Sequence, residues 1–164
     1  MMLPEQITCS SIGCRLDYSI LVLLGVSVRN IQRLLCIQST FARVVTRQSS
    51  CISISRTLKN LTWLPVKWRI NFKVITLTYK VLAWGELSYL FMQIASVFPQ
   101  CTLQASSDTR HLVVLPSRIK IGARGFHCSA PSIWNNIPFD IQAASSVQTF
   151  KSQLKTLYFQ QTFD

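Results

Sequence analysis

The sequence predicts a mainly α chain carrying one small β-hairpin around residues 111–121. Three observations predict it. Apolar residues recur at helical spacing across Val28–Arg47 and again from Pro65 to about Leu82. Ser145 with Gln148 has the S-x-x-Q form of a capping box ahead of Phe150, Leu154 and Leu157, which predicts a final helix. The β-branched run His111–Leu115, closed by Pro116 and followed by the alternating Arg118–Ile121, is the segment that reads as paired strand.

The elements follow in order. Residues 1–14 show no period and read as a loose leader. Ile20–Val28 is apolar for nine residues, where a spanning helix needs about 20, so it predicts a buried helix or strand and no membrane span. It also lacks the basic n-region and the small-residue cleavage site of a signal peptide. In Val28–Arg47, at about 100° per residue, Arg29, Arg33, Arg43 and Arg47 fall within about 40° of one direction. Leu34, Phe41, Ala42 and Val45 point roughly the opposite way, which predicts an amphipathic helix with a basic stripe and a core face.

Ser49–Asn60 is polar and predicts a turn. Pro65 suits the first turn of a helix, where a missing N–H costs little. In the helix that follows, Trp68, Ile70, Phe72, Val74, Ile75, Leu77, Tyr79, Val81 and Leu82 cover most of the circumference. They leave Arg69, Lys73, Thr76 and Lys80 as a narrow wet edge on a central helix. A shorter helix is predicted after Gly85 from Leu87, Leu90, Phe91 and Ile94, and Phe126–Pro138 reads as a helix broken or restarted at Pro131. No internal repeat is visible. The domain reading is a single helical region over 15–160 with a short tail at 161–164.

Composition narrows the function. At 164 residues the chain suffices for one core, and 49% hydrophobic against 14% charged residues excludes a disordered or collagenous chain. Seventeen Lys+Arg against six Asp+Glu give a net charge of +11, which favours phosphate-bearing partners or an anionic surface. The charge is concentrated: from Tyr18 to Gly85 there are Arg29, Arg33, Arg43, Arg47, Arg56, Lys59, Lys67, Arg69, Lys73 and Lys80, and no acidic residue.

Six cysteines (Cys9, Cys14, Cys36, Cys51, Cys101, Cys128) at irregular spacing read as reduced thiols, hence an intracellular protein of cytoplasm or nucleus rather than a secreted one. No Cys-x-x-Cys pair exists, and His111, His127 and Cys128 have no metal-ligand spacing, so no metal and no cofactor are predicted. Two-magnesium chemistry requires clustered carboxylates. Glu5, Asp17, Glu86, Asp108, Asp140 and Asp164 include no Asp-x-Asp. Neither an enzyme nor a small-molecule substrate is predicted. His127 beside Cys128 points elsewhere on helix or strand, which disfavours a nucleophilic pair.

Several segments together carry a resemblance. Leu16-Asp17-Tyr18, IQRLLCIQSTFARVV (Ile31–Val45), TWLPVKWRINFKVITLTYKVL (Thr62–Leu82), Ser88-Tyr89-Leu90, SSDTRHLVVLPSRIKIGARGF (Ser106–Phe126), SAPSIWNNIP (Ser129–Pro138) and TFKSQLKTLYF (Thr149–Phe159) resemble the carboxy-terminal region of reverse transcriptases from LINE-type, non-LTR retrotransposons. Leu87, Ala123 and Gly125 depart from that family's usual residues. The resemblance implies a thumb-like or tail fragment of a polyprotein, separated from the palm that carries catalysis and from the endonuclease. On that reading, Arg29, Arg33, Arg43 and Arg47, with Arg69, Lys73 and Lys80, would track an RNA or DNA backbone, and Trp68 or Tyr79 would add stacking. The alternative is a structural or interaction fragment with no ligand of its own. Its apolar surface would meet the missing polymerase domains or a second copy of the chain, and its charges would be a solvated face.

Overall fold

The computed structural model describes residues 22–49, 52–85, 88–95, 111–114, 116–119 and 122–163. Among them the chain is mainly α, with seven α-helices and no strand. These are α1 (Val28–Thr46), α2 (Ile54–Asn60), α3 (Val66–Trp84), α4 (Ser88–Ala95), α5 (Phe126–Trp134), α6 (Phe139–Gln142) and α7 (Val147–Phe163), with a 3₁₀ turn at Gly122–Arg124. The expected leader at 1–14 lies outside the described residues. No described helix is long and apolar enough to cross a membrane.

Two compact units form, Met1–Ile70 with Leu157–Asp164 and Asn71–Thr156. In the first, α1 packs on α2 and buries Ala42 and Val45. Helix α1 closes with Arg47 in the left-handed region (φ 51°), while Gln48 N–H reaches back to Arg43 C=O at 3.2 Å. This satisfies end carbonyls that the helix itself cannot. Helix α2 ends in the same way, with Thr62 at φ 54° and Trp63 N–H on Leu58 C=O at 3.0 Å. The stretch expected as a turn thus contains a helix, because Thr57 and Leu58 are buried, two adjacent positions that give too little period to read from sequence.

The start of α3 is built by a residue from α1. Gln38, 2% exposed, donates from Nε2 to Leu64 C=O at 2.8 Å and accepts from Val66 N–H at 3.2 Å. One carboxamide thereby satisfies a first-turn N–H that helix geometry leaves without a partner. Pro65 caps α3 through its carbonyl, bonded by Arg69 N–H at 3.0 Å, so the helix begins one residue later than the proline. Trp68 lies against Tyr158 with ring centroids 4.9 Å apart. Burial pushes the Tyr158 hydroxyl pKa well above the usual tyrosine value.

In the second unit the core is aromatic. Tyr79 stacks on Phe150 at 4.2 Å, and Phe150 in turn faces Trp134 at 6.0 Å. The Tyr79 hydroxyl donates to Ala144 C=O at 2.6 Å. Buried Gln142 donates to the carbonyls of Trp134 and Ile137, holding the turn after α5. Helix α4 packs on α5 and buries Leu90 and Ile94. Thr76, expected on the wet edge of α3, is buried, its hydroxyl folded onto Phe72 C=O at 2.7 Å.

Four local expectations are corrected. Among the described residues of 111–121 there is no hairpin. Instead, Leu112 N–H donates to Asn135 Oδ1 at 2.9 Å and Leu112 C=O accepts from Asn135 Nδ2 at 2.8 Å. A side-chain amide thus supplies the pairing that a neighbouring strand would offer. The described part of the apolar run, 22–28, is a turn and a helix entry rather than a buried helix or strand, since Gly25 adopts φ 66° and Val22 and Val28 are exposed. Helix α5 runs through Pro131, which is buried and lacks only the bond to His127 C=O, and it ends after Trp134. The cap of α7 is Ser146, not Ser145, with Thr149 N–H on Ser146 Oγ at 3.1 Å.

Candidate nucleic-acid interface

Helix geometry assembles the basic face of α1 from Arg29, Arg33 and Arg43, while Arg47, expected within the helix, is instead its left-handed C-cap (φ 51°). Arg47 is eighteen positions beyond Arg29, about 27 Å along the axis at 1.5 Å per residue. Arg29, Arg33 and Arg47 are exposed and Arg43 is half-buried. The Arg43 Nε is fully buried with no hydrogen-bond partner. A buried donor left without a partner typically costs about 1–3 kcal/mol, and more on a charged group. Cys36 and Thr40 lie exposed on the same face between the two arginine pairs. The Thr40 hydroxyl is turned back to Cys36 C=O at 3.0 Å. A shallow open groove of about 480 Å³ is lined by Arg29, Gln32, Arg33, Cys36 and Ile37.

The cations of α3 differ in character. Arg69, Lys73 and Lys80 share one edge of their helix, but all three are half-buried. Arg69 and Lys73 are engaged with other groups. The Lys80 ammonium sits 5.9 Å from the centroid of the Trp84 ring. Arg69 belongs to the first unit, with α1, and Lys73 and Lys80 to the second. Arg29, Arg33 and Arg43 therefore make one face of α1, continued by Arg47 at its C-cap, and the three α3 cations make an edge of their own helix.

The stacking residues expected from sequence are committed elsewhere. Tyr79 is buried between Phe150 and Ala144, and Trp68 packs on Tyr158. What the sequence reading missed is a pair of exposed aliphatics beside the arginines, Ile37 at 52% and Val44 at 65%. Their spacing of seven residues was the available signal, since two helical turns return a side chain to nearly the same direction.

Among the described residues no group of three His, Cys, Asp or Glu side chains is placed to hold a metal ion. Cys36 and Cys128 carry free thiols, the first exposed and the second buried. Cys9, Cys14, Cys51 and Cys101 lie outside the described residues, as do all the acidic side chains except Asp140. No family model matches this chain, and no curated protein and no solved structure is found similar to it.

Proposed function

We propose that this chain is a carboxy-terminal segment of a LINE-type reverse transcriptase, without polymerase chemistry of its own, that holds RNA or DNA by the phosphate backbone. One observation carries the binding part: Arg29, Arg33 and Arg43 occupy a single face of α1 and Arg47 sits at its C-cap, three of the four exposed, in a stretch without an acidic residue from Tyr18 to Gly85. Guanidinium groups placed along a rod match a phosphate chain in charge and in their bidentate donors. Such contacts release counterions and carry no base specificity.

The binding test is a salt titration. Each phosphate contact contributes about −0.7 to the log–log salt slope on a single strand and about −0.9 on duplex DNA. Replacing Arg29 and Arg33 by Gln should weaken binding and flatten the slope by about 1.4 to 1.8. Replacing the exposed Arg118 and Arg124 removes the same charge outside α1 and should leave the slope nearly unchanged. Equal losses from the two double variants would reduce the effect to net charge and defeat the reading. Primer extension by the purified chain with Mg²⁺ or Mn²⁺ is expected to be nil, and measurable incorporation would overturn the non-catalytic part.

A second reading, a fragment whose apolar surface meets a partner or another copy, is favoured by Trp84, Tyr89 and Met92, which are 57%, 64% and 70% exposed. Sedimentation separates the two. Self-association with no salt-sensitive nucleic-acid binding would put this second reading first.

A further inference from the structure

The face of α1 has two parallel rows, and a phosphate clamp uses only one of them. Taking Arg29 as the origin at about 100° per residue, Arg33 and Arg43 lie within about 40° on either side, Arg47 follows at the C-cap, and Ile37 and Val44 lie at about 80° and 60°. Both aliphatics are more than half exposed, and Ile37 also lines the groove that contains Arg29, Gln32 and Arg33. Two apolar side chains beside a cationic row remain hydrated unless the ligand brings an apolar surface next to its charge.

We infer that this face selects unpaired over paired nucleic acid, with bases resting on Ile37 and Val44 while Arg29, Arg33, Arg43 and Arg47 hold the phosphates. This rests on the backbone-binding reading above. A duplex presents phosphates and base edges but keeps its base faces stacked inside, so it offers nothing to the aliphatic row. An unpaired strand carries both surfaces side by side, and contact with base faces tolerates any sequence. Gln32, exposed at the groove, adds a side-chain amide able to donate and accept at a base edge. RNA and DNA strands share this chemistry.

The experiment uses the full chain and four fluorescein-labelled probes: a twelve-nucleotide oligouridylate, the matching oligothymidylate, and each of these annealed to its complement. Anisotropy is read at low salt for the affinities and over a salt series for the slope. Wild-type protein should bind both single strands at least several-fold more tightly than either duplex. Ile37→Ser with Val44→Ser should reduce single-strand affinity by about three- to tenfold, below the loss of aromatic stacking platforms, and leave duplex affinity and the salt slope unchanged. Both residues are exposed, and far-UV circular dichroism checks that the fold is kept. Equal affinity for single strand and duplex, or an equal loss on both in the double variant, overturns the inference while the salt-slope test leaves backbone binding standing. Loss of self-association instead of strand affinity assigns the aliphatic row to a protein contact and also overturns it. Absence of salt-sensitive binding to any probe defeats the backbone reading and the inference with it. A consistent preference for the uridylate or for the thymidylate identifies which strand the face suits, and either outcome supports it.

Discussion

Replacing Gln38 by Met tests how α3 is started. Methionine keeps nearly the length of the side chain but removes both polar ends, so Leu64 C=O loses its 2.8 Å donor and Val66 N–H its 3.2 Å acceptor. Gln38 is 2% exposed, so water has little access to take over. An unsatisfied buried backbone group costs about 1–3 kcal/mol, and two of them sum to about 2–5 kcal/mol after partial relaxation. Against a typical total stability of about 5–15 kcal/mol that is a large share. It corresponds to a fall in Tm of about 5–15 °C for a chain of this size. Urea unfolding followed at 222 nm measures it directly. Ser39→Ala is the companion on the same helix: its hydroxyl only bonds back to Leu35 C=O at 2.7 Å, and its loss should be nearly neutral. A Gln38→Met loss below about 0.5 kcal/mol, no larger than that of Ser39→Ala, would refute the claim that this carboxamide holds the entry to α3.

Thr62→Gly should stabilise the chain by about 0.5–1 kcal/mol in the same urea assay. A β-branched residue at φ 54° is strained by about 1–2 kcal/mol, which outweighs the added freedom of glycine in the unfolded chain. Arg43→Met should leave stability unchanged or raise it by up to about 1 kcal/mol, since a buried donor without a partner disappears, while the salt slope on a single strand flattens by about 0.7. Tyr79→Phe removes the 2.6 Å bond to Ala144 C=O and should cost about 1–2 kcal/mol without altering nucleic-acid affinity, because this ring lies in the core. Tyr158 titrates higher in the folded chain than in the unfolded one, so it favours folding below the unfolded value of about 10. That contribution is lost as pH rises above this value towards the folded pKa, and unfolding free energies at pH 9 and 11 should converge more closely in Tyr158→Phe.

Sequence alone determined the helical class, Arg29, Arg33 and Arg43 on one face of α1, and a helix α3 that buries Val74, Ile75, Tyr79 and Val81, because each follows from the spacing a helix imposes on its own residues. It did not determine α2, whose anchors Thr57 and Leu58 are adjacent and set no period. Nor did it determine the fate of the β-branched run at 111–114, where Asn135 supplies the hydrogen bonds from 23 residues away. Gln38 is the same kind of case: a glutamine in an amphipathic helix reads as surface, and only the approach of Leu64 and Val66 makes it a buried cap. The candidate interface divides along the same line. Charge and its direction on α1 are local and legible, whereas the burial of Tyr79, the packing of Trp68 on Tyr158 and the half-burial of Arg69, Lys73 and Lys80 depend on which rings and helices pack against them, and only the tertiary structure decides that.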